Sequence, residues 1–261
     1  MRTMIRWTAA ALLPLVFGAA PLAAQETTTW RWNGTLADGR TVFLHNVNGS
    51  VRVEAGSGDR VEVEAEKRWR RGDSDDVRIE ARQLRNGHVV VCAMWRRGDT
   101  CNESGIDGGE RRWNQSNDVS VHFVIRVPAY ANVEAHTVNG GVEVAELRGR
   151  VDARTVNGNV EAASSGGPVR ARTVNGSIRA KGPVGRDGLD YETVNGSIEI
   201  ELPADASADV SLRTTNGRVT SDFPIRFTGE INPRRIEAQV GHGGPELRAR
   251  TVNGGIRLRK Q

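Results

Sequence analysis

One phrase recurs along this chain and narrows the folds open to it. It reads TVNGGVEV from Thr137, TVNGNVEA from Thr155, TVNGSIRA from Thr173 and TVNGSIEI from Thr193. It returns as TTNGRVTS from Thr214 and TVNGGIRL from Thr251, and an earlier copy, NVNGSVRV, starts at Asn46. The asparagines of the phrase are Asn48, Asn139, Asn157, Asn175, Asn195, Asn216 and Asn253. From Asn139 onward their spacings are 18, 18, 20, 21 and 37. The last gap is about two repeats, and IEAQVGHGGPELRAR fits it as a diverged copy with Gly-His-Gly-Gly in place of Asn-Gly. A period near 20 residues is the signature of a solenoid.

Around each Thr the apolar positions alternate. Four residues before it stand Val133, Val151, Val169, Leu189, Val210 and Leu247; five after it stand Val142, Val160, Ile178, Ile198, Val219 and Ile256. Most residues between are charged. Alternation of this kind means strands with one buried and one wet face. Residues 25–261 hold 29 Val against 9 Leu, which also favours strands over helices. Each unit therefore holds a strand, an Asn-Gly corner, a second strand and a variable return. Asn-Gly between strands also suits a type I′ hairpin, which would give an antiparallel meander or barrel. A parallel β-solenoid is preferred, because stacked coils turn Thr, Val and Asn into continuous ladders and let Asn amides bond along the axis. Roughly ten coils would span about 50 Å. Seven of the 30 Gly follow the corner Asn, where Gly permits φ > 0. Pro128 and Pro203 open matching segments and suit corners, where no ladder N–H is needed.

The rest of the 261 residues frames this array. Residues 1–24, MRTMIRWTAAALLPLVFGAAPLAA, have a basic start, a short apolar run and Ala-Ala before Gln25, the pattern of a secretory signal peptide. The apolar run is too short to span a bilayer. No second long apolar stretch follows, so no transmembrane span is expected in the mature chain, which is read as 25–261. Cys92 and Cys101 are the only cysteines, and in an oxidising compartment they form a disulfide. All six Trp residues lie at or before Trp113, in the N-terminal part of the chain. That part reads as the start of the same solenoid with a Trp- and Cys-containing excursion over about 66–117, while 133–261 are the regular repeats. Trp30, Trp32, Trp69, Trp95 and Trp113 are candidates to cap the open end, whose bare edge would invite aggregation. A separate small β domain is the alternative. Net charge is +4 including Arg2 and Arg6 of the leader, so no nucleic-acid partner is expected.

The repeated pattern T-V-N-G-x-[VI]-x-[VAIL] resembles the bacterial adhesin-named β-strand-repeat family, domain of unknown function 4097. WNGTLADGRTVFLHNVNGSVRVEA from Trp32 is similar to that family's opening, and GHGGPELRARTVNGGIRL from Gly241 to its closing coil. The resemblance covers roughly 30–261. It implies an exported, envelope-associated β-solenoid with no established catalysis.

No catalytic constellation, metal-ligand spacing or cofactor motif is legible. Asp152 and Asp190, three residues before Thr, are the acids a polysaccharide-cleaving β-helix would use. Arg170 shares their position, which favours a structural ion ladder. Arg154, Arg172, Arg213 and Arg250 share the position just before Thr and form a stripe suited to anionic polysaccharide or lipopolysaccharide phosphate. His136 and Glu192 interrupt that stripe. Two Arg-Gly-Asp triplets, at Arg71 and Arg97, lie in polar turn-like runs whose composition accounts for them. The expected function is that of a non-enzymatic envelope or surface scaffold, adhesin or binding module, contacting envelope polysaccharide or envelope proteins. A carbohydrate-active enzyme on a β-helix and an envelope-stress or assembly factor are the alternatives.

Overall fold

The computed structural model describes residues 25–108, 117–165, 167–227 and 234–261. The expected leader, Trp113 and Gly166 lie outside the described residues. Two long sheets, one of ten strands and one of eleven, face each other across one continuous apolar core.

Six coils form the middle of the stack. In spatial order they are β2 (Thr41–His45) with β3 (Val51–Gly56), β10 (Asn132–His136) with β11 (Val142–Leu147), and β12 (Val151–Arg154) with β13 (Val160–Ser164). Next come β14 (Val169–Arg172) with β15 (Ile178–Lys181), β16 (Leu189–Glu192) with β17 (Ile198–Leu202), and β22 (Glu246–Asn253) with β23 (Ile256–Lys260). Every ladder between these coils is parallel and pairs like with like, as in Val133↔Val151↔Val169↔Leu189↔Leu247. The meander is thereby excluded.

The remaining strands arrive by insertion. Residues between β3 and β10 supply β4 (Arg60–Trp69), β5 (Arg78–Gln83), β6 (Val89–Met94), β7 (Asp99–Asn102), β8 (Gly105–Gly108) and β9 (Ser120–Pro128). Here β6 and β9 add a parallel coil outside β2 and β3, and β5, β4 and the leading strand β1 (Glu26–Thr35) close that end antiparallel. Trp30, Trp32, Trp69 and Trp95 pack against the core there, as a cap requires. Residues between β17 and β22 supply β18 (Ala208–Asn216), β19 (Val219–Ser221), β20 (Ile225–Phe227) and β21 (Arg235–Val240).

This second insertion corrects the reading of the 37-residue gap. The strand of IEAQV, β21, is antiparallel to β18 at the end of the stack, and Gly243 closes a turn onto Val240. Among the described residues no diverged coil lies between Asn216 and Asn253. Instead the final coil, β22 and β23, slots between the coil of Asn195 and the coil of Asn216. The described residues form eight parallel coils, fewer than the ten expected.

At each corner the Thr hydroxyl turns inward and donates to a Gly carbonyl of the neighbouring coil: Thr155 to Gly140, Thr173 to Gly158, Thr193 to Gly176 and Thr251 to Gly196, at 2.8–2.9 Å. The Asn amides bond outside it. Asn157 donates to Asn139, Asn175 to Asn157, Asn195 to Asn175, Asn253 to Asn195 and Asn216 to Asn253, at 2.7–2.9 Å. Asn48, beside the excursion, donates to the Val119 carbonyl instead. The corner Val, between Thr and Asn, points to solvent.

Candidate functional site

The outer face of the eleven-stranded sheet gathers most of the chemistry the repeats display. Because every repeat places a charged residue or a histidine just before its corner phrase, register turns these positions into a row across the sheet. It runs His45, His136, Arg154, Arg172, Glu192, Arg250, Arg213, Arg235. A second row, two residues earlier on each parallel strand, runs Glu134, Asp152, Arg170, Asp190, Arg248, Ser211, and ends on antiparallel β21 at Glu237, two residues after Arg235.

Across the first strands the two rows neutralise each other. Both oxygens of Asp152 accept from Arg154, at 2.7 and 2.6 Å, and the Asp152 side chain is 7% exposed. Arg170 lies 3.9 Å from Asp152 and 3.4 Å from Asp190. Arg172 donates to Asp190 at 2.9 Å, and its Nε is 3.7 Å from Glu192. The hydrogen bond from Arg154 to Asp152 also raises the Arg154 pKa, whereas burial and the nearby Asp152 charge raise that of Glu134. A groove of about 220 Å³ follows this ladder, with Arg150, Asp152, Arg170, Asp187, Asp190 and Arg248 in its lining.

The anionic-ligand stripe therefore divides. Arg154 and Arg172 are held in ion pairs. Arg250 and Arg213 lie side by side, because the last coil precedes the Asn216 coil in space. Arg235 joins them from β21, a residue the repeat pattern did not single out. The available signal was Arg-Arg just before an alternating strand, IEAQV, which the repeat reading assigned to a diverged coil.

At the opposite end the excursion covers the same face. Cys92 and Cys101 are joined, with Cα atoms 6.0 Å apart. Val90, Cys92, Met94 and Cys101 form a second small core with Phe43, Leu84 and Ile106. His45 Nε2 donates to the Glu103 carbonyl at 3.2 Å, and its ring meets that of His136 edge to face at 5.4 Å. Burial, then the His45 and Arg154 charges, push the His136 pKa down to about 4. Burial also lowers that of His45.

The Arg-Gly-Asp triplets are occupied locally. Asp73 accepts from the Asp75 N–H, while the largely buried Asp99 accepts from the Arg96 N–H. Among the described residues no group of three or more His, Cys, Asp or Glu side chains is placed to hold a metal ion. No described helix is long and apolar enough to cross a membrane.

A family model described as Toastrack DUF4097 matches residues 40–259. No curated protein matches the chain. Among solved structures, a "putative cell adhesion protein" from Clostridium sporogenes is 10% identical over 90% of this chain and 100% of its own, with a TM-score of 0.43. A "putative adhesin" from Bacteroides fragilis is 9% identical over 90% and 97%, with a TM-score of 0.38. A "putative lipid binding protein" from Parabacteroides distasonis is 9% identical over 88% and 96%, with a TM-score of 0.26.

Proposed function

Since the chain belongs to the Toastrack DUF4097 family, whose name assigns no activity, we propose that it is an exported, non-enzymatic binding module of the cell envelope or surface. The observation that carries this reading is the state of its carboxylates. A general acid or nucleophile needs an oxygen free to face the substrate. Asp152 has both oxygens engaged by Arg154, and Arg170 and Arg172 share Oδ2 of Asp190, so each acid is paired with cations of the sheet. These acids brace the sheet. The Cys92–Cys101 disulfide supports an oxidising compartment, in keeping with the leader pattern of residues 1–24. The partner class is envelope polysaccharide or envelope protein.

Fractionation of cells producing the full chain tests the address. The expected result is cleavage after Ala24 and an oxidised protein outside the cytoplasm. Incubation of that protein with a glycan array tests the activity, with retention of intact glycans expected. Uncleaved protein in the cytoplasm, or release of shortened saccharides, overturns the reading.

A further inference from the structure

The charge pattern of the eleven-stranded sheet breaks at one place. Up to Glu192, the arginines of the corner row each have a carboxylate partner. Beyond it the row runs Arg250, Arg213, Arg235 on three adjacent strands, each directly across from the next. Like charges directly opposite one another destabilise a sheet. Arg235 has Glu237 at 2.6 Å. Among the described residues, no carboxylate lies within ion-pair distance of Arg213 or Arg250. All three arginines are exposed. The nearest acid of the row, Glu192, is shared with Arg172, and Arg248 is bound to Glu246 at 2.7 Å.

We propose that Arg250 and Arg213, the two arginines of the row without a carboxylate partner among the described residues, bind the phosphate group of a phosphorylated saccharide. The proposal rests on the reading of the chain as an envelope binding module and names the ligand class of its cationic end. Neighbouring strands lie about 4.8 Å apart, so the long guanidinium side chains of Arg213 and Arg250 can converge on one group. A phosphate ester offers three acceptor oxygens and nearly two charges at one point. A carboxylate has two oxygens and accepts a single fork. Glu192 on one side and the Arg235–Glu237 pair on the other confine the unpaired cations to two strands, the width of an isolated phosphate rather than of a long polyanion. The second row presents Arg248, Ser211 and Glu237 beside them, donors and acceptors of the kind sugar hydroxyls need.

Isothermal titration of the mature protein with glucose 1-phosphate, and with glucuronate as the carboxylate control, tests the site. Glucose 1-phosphate is expected to bind more tightly than glucuronate and to weaken with salt. The double variant R213E/R250E is expected to lose at least tenfold in affinity, and R213Q/R250Q guards against a folding defect. R31E/R60E makes the same charge change at the far end of the stack and is expected to stay within twofold. Phosphatidylcholine vesicles with and without lipid A distinguish a membrane-borne phosphosaccharide from a soluble one, and capture depending on Arg213 and Arg250 supports the former. Equal affinity for glucuronate, wild-type binding by R213E/R250E, or an equal loss in R31E/R60E overturns the site. A protein that is exported and retains glycans, yet ignores glucose 1-phosphate, overturns this inference and leaves the envelope reading standing.

Discussion

At the corners, glycine meets glycine. A Cβ on Gly176 would overlap the Gly158 carbonyl, one on Gly158 that of Gly140, and one on Gly196 that of Gly176. Backbone freedom is not the reason for these residues, since Gly158, Gly176 and Gly196 do not hold positive φ. The repeat made the corner legible. The overlap was hidden, because one sequence does not say which carbonyl will lie opposite. Gly176→Ala is expected to destabilise the fold by about 3 kcal/mol or more, since the obstacle is the backbone of the neighbouring coil and not a side chain that can move aside. Gly56→Ala, where a Cβ meets only ordinary contacts, is expected to stay within about 0.5 kcal/mol. Urea midpoints of the two variants check this. A second residue effect concerns His136, whose side chain is 27% exposed. Its folded pKa lies below its unfolded one, so between pH 6.5 and about 4 the unfolded chain binds more protons. Its contribution is therefore intact above pH 6.5 and declines as pH falls through that window. Between pH 7 and pH 4.5 wild type is expected to lose about 2 kcal/mol more than His136→Gln, by chemical denaturation at both values.

Among the elements, β6 behaves differently from its neighbours. Its sequence, VVVCAM, is apolar at all six positions, and all six are buried. Val89, Val91 and Ala93 face the main core, while Val90, Cys92 and Met94 face the small one under β7 and β8. An unbroken apolar run is the mark of a strand covered on both faces, so double burial was legible in principle. What covers it was not, because β7 and β8 are four-residue strands in a polar excursion with no periodicity. An isolated hairpin of this size is marginal in water, so its docking depends on tethers. Arg78 donates to the Asp99 carbonyl, Arg82 to that of Cys101 and Asn86 to the Glu103 carboxylate. The disulfide closes the loop. Removing it in C92A/C101A is expected to cost roughly 2–3 kcal/mol, the loop-closure value for about ten residues. Hydrogen exchange locates the loss: β7 and β8 are expected to lose protection while β12 to β17 keep theirs. Uniform loss along the stack would mean that the hairpin is not a separable cover.

Over the whole molecule, chain order and spatial order part company twice. The coils present nearly the same apolar ladder to either neighbour, so any coil edge can receive any other. The repeat thus specifies that coils stack, but not which stands beside which, and the 37-residue gap could be read as a missing coil. Topology also depends on β21 lying antiparallel to β18, where it covers the β18 edge before the Gly243 turn reverses the chain into β22. Such an edge is the hazard of any open sheet, and antiparallel closure is one way to blunt it. The final coil already rests against β16 and β17, so residues 203–245 are an insertion into an otherwise continuous solenoid. Replacing them with a copy of the return segment 182–188 gives a direct test. Circular dichroism is expected to keep its strand signal, because β22 and β23 retain their partners on one side. Their other edges would then be bare, and light scattering is expected to show self-association that grows with concentration. A soluble monomer would mean that these edges need no cover. Loss of the strand signal would mean that the insertion is needed to form the stack, and the view of it as a terminal cap would fail.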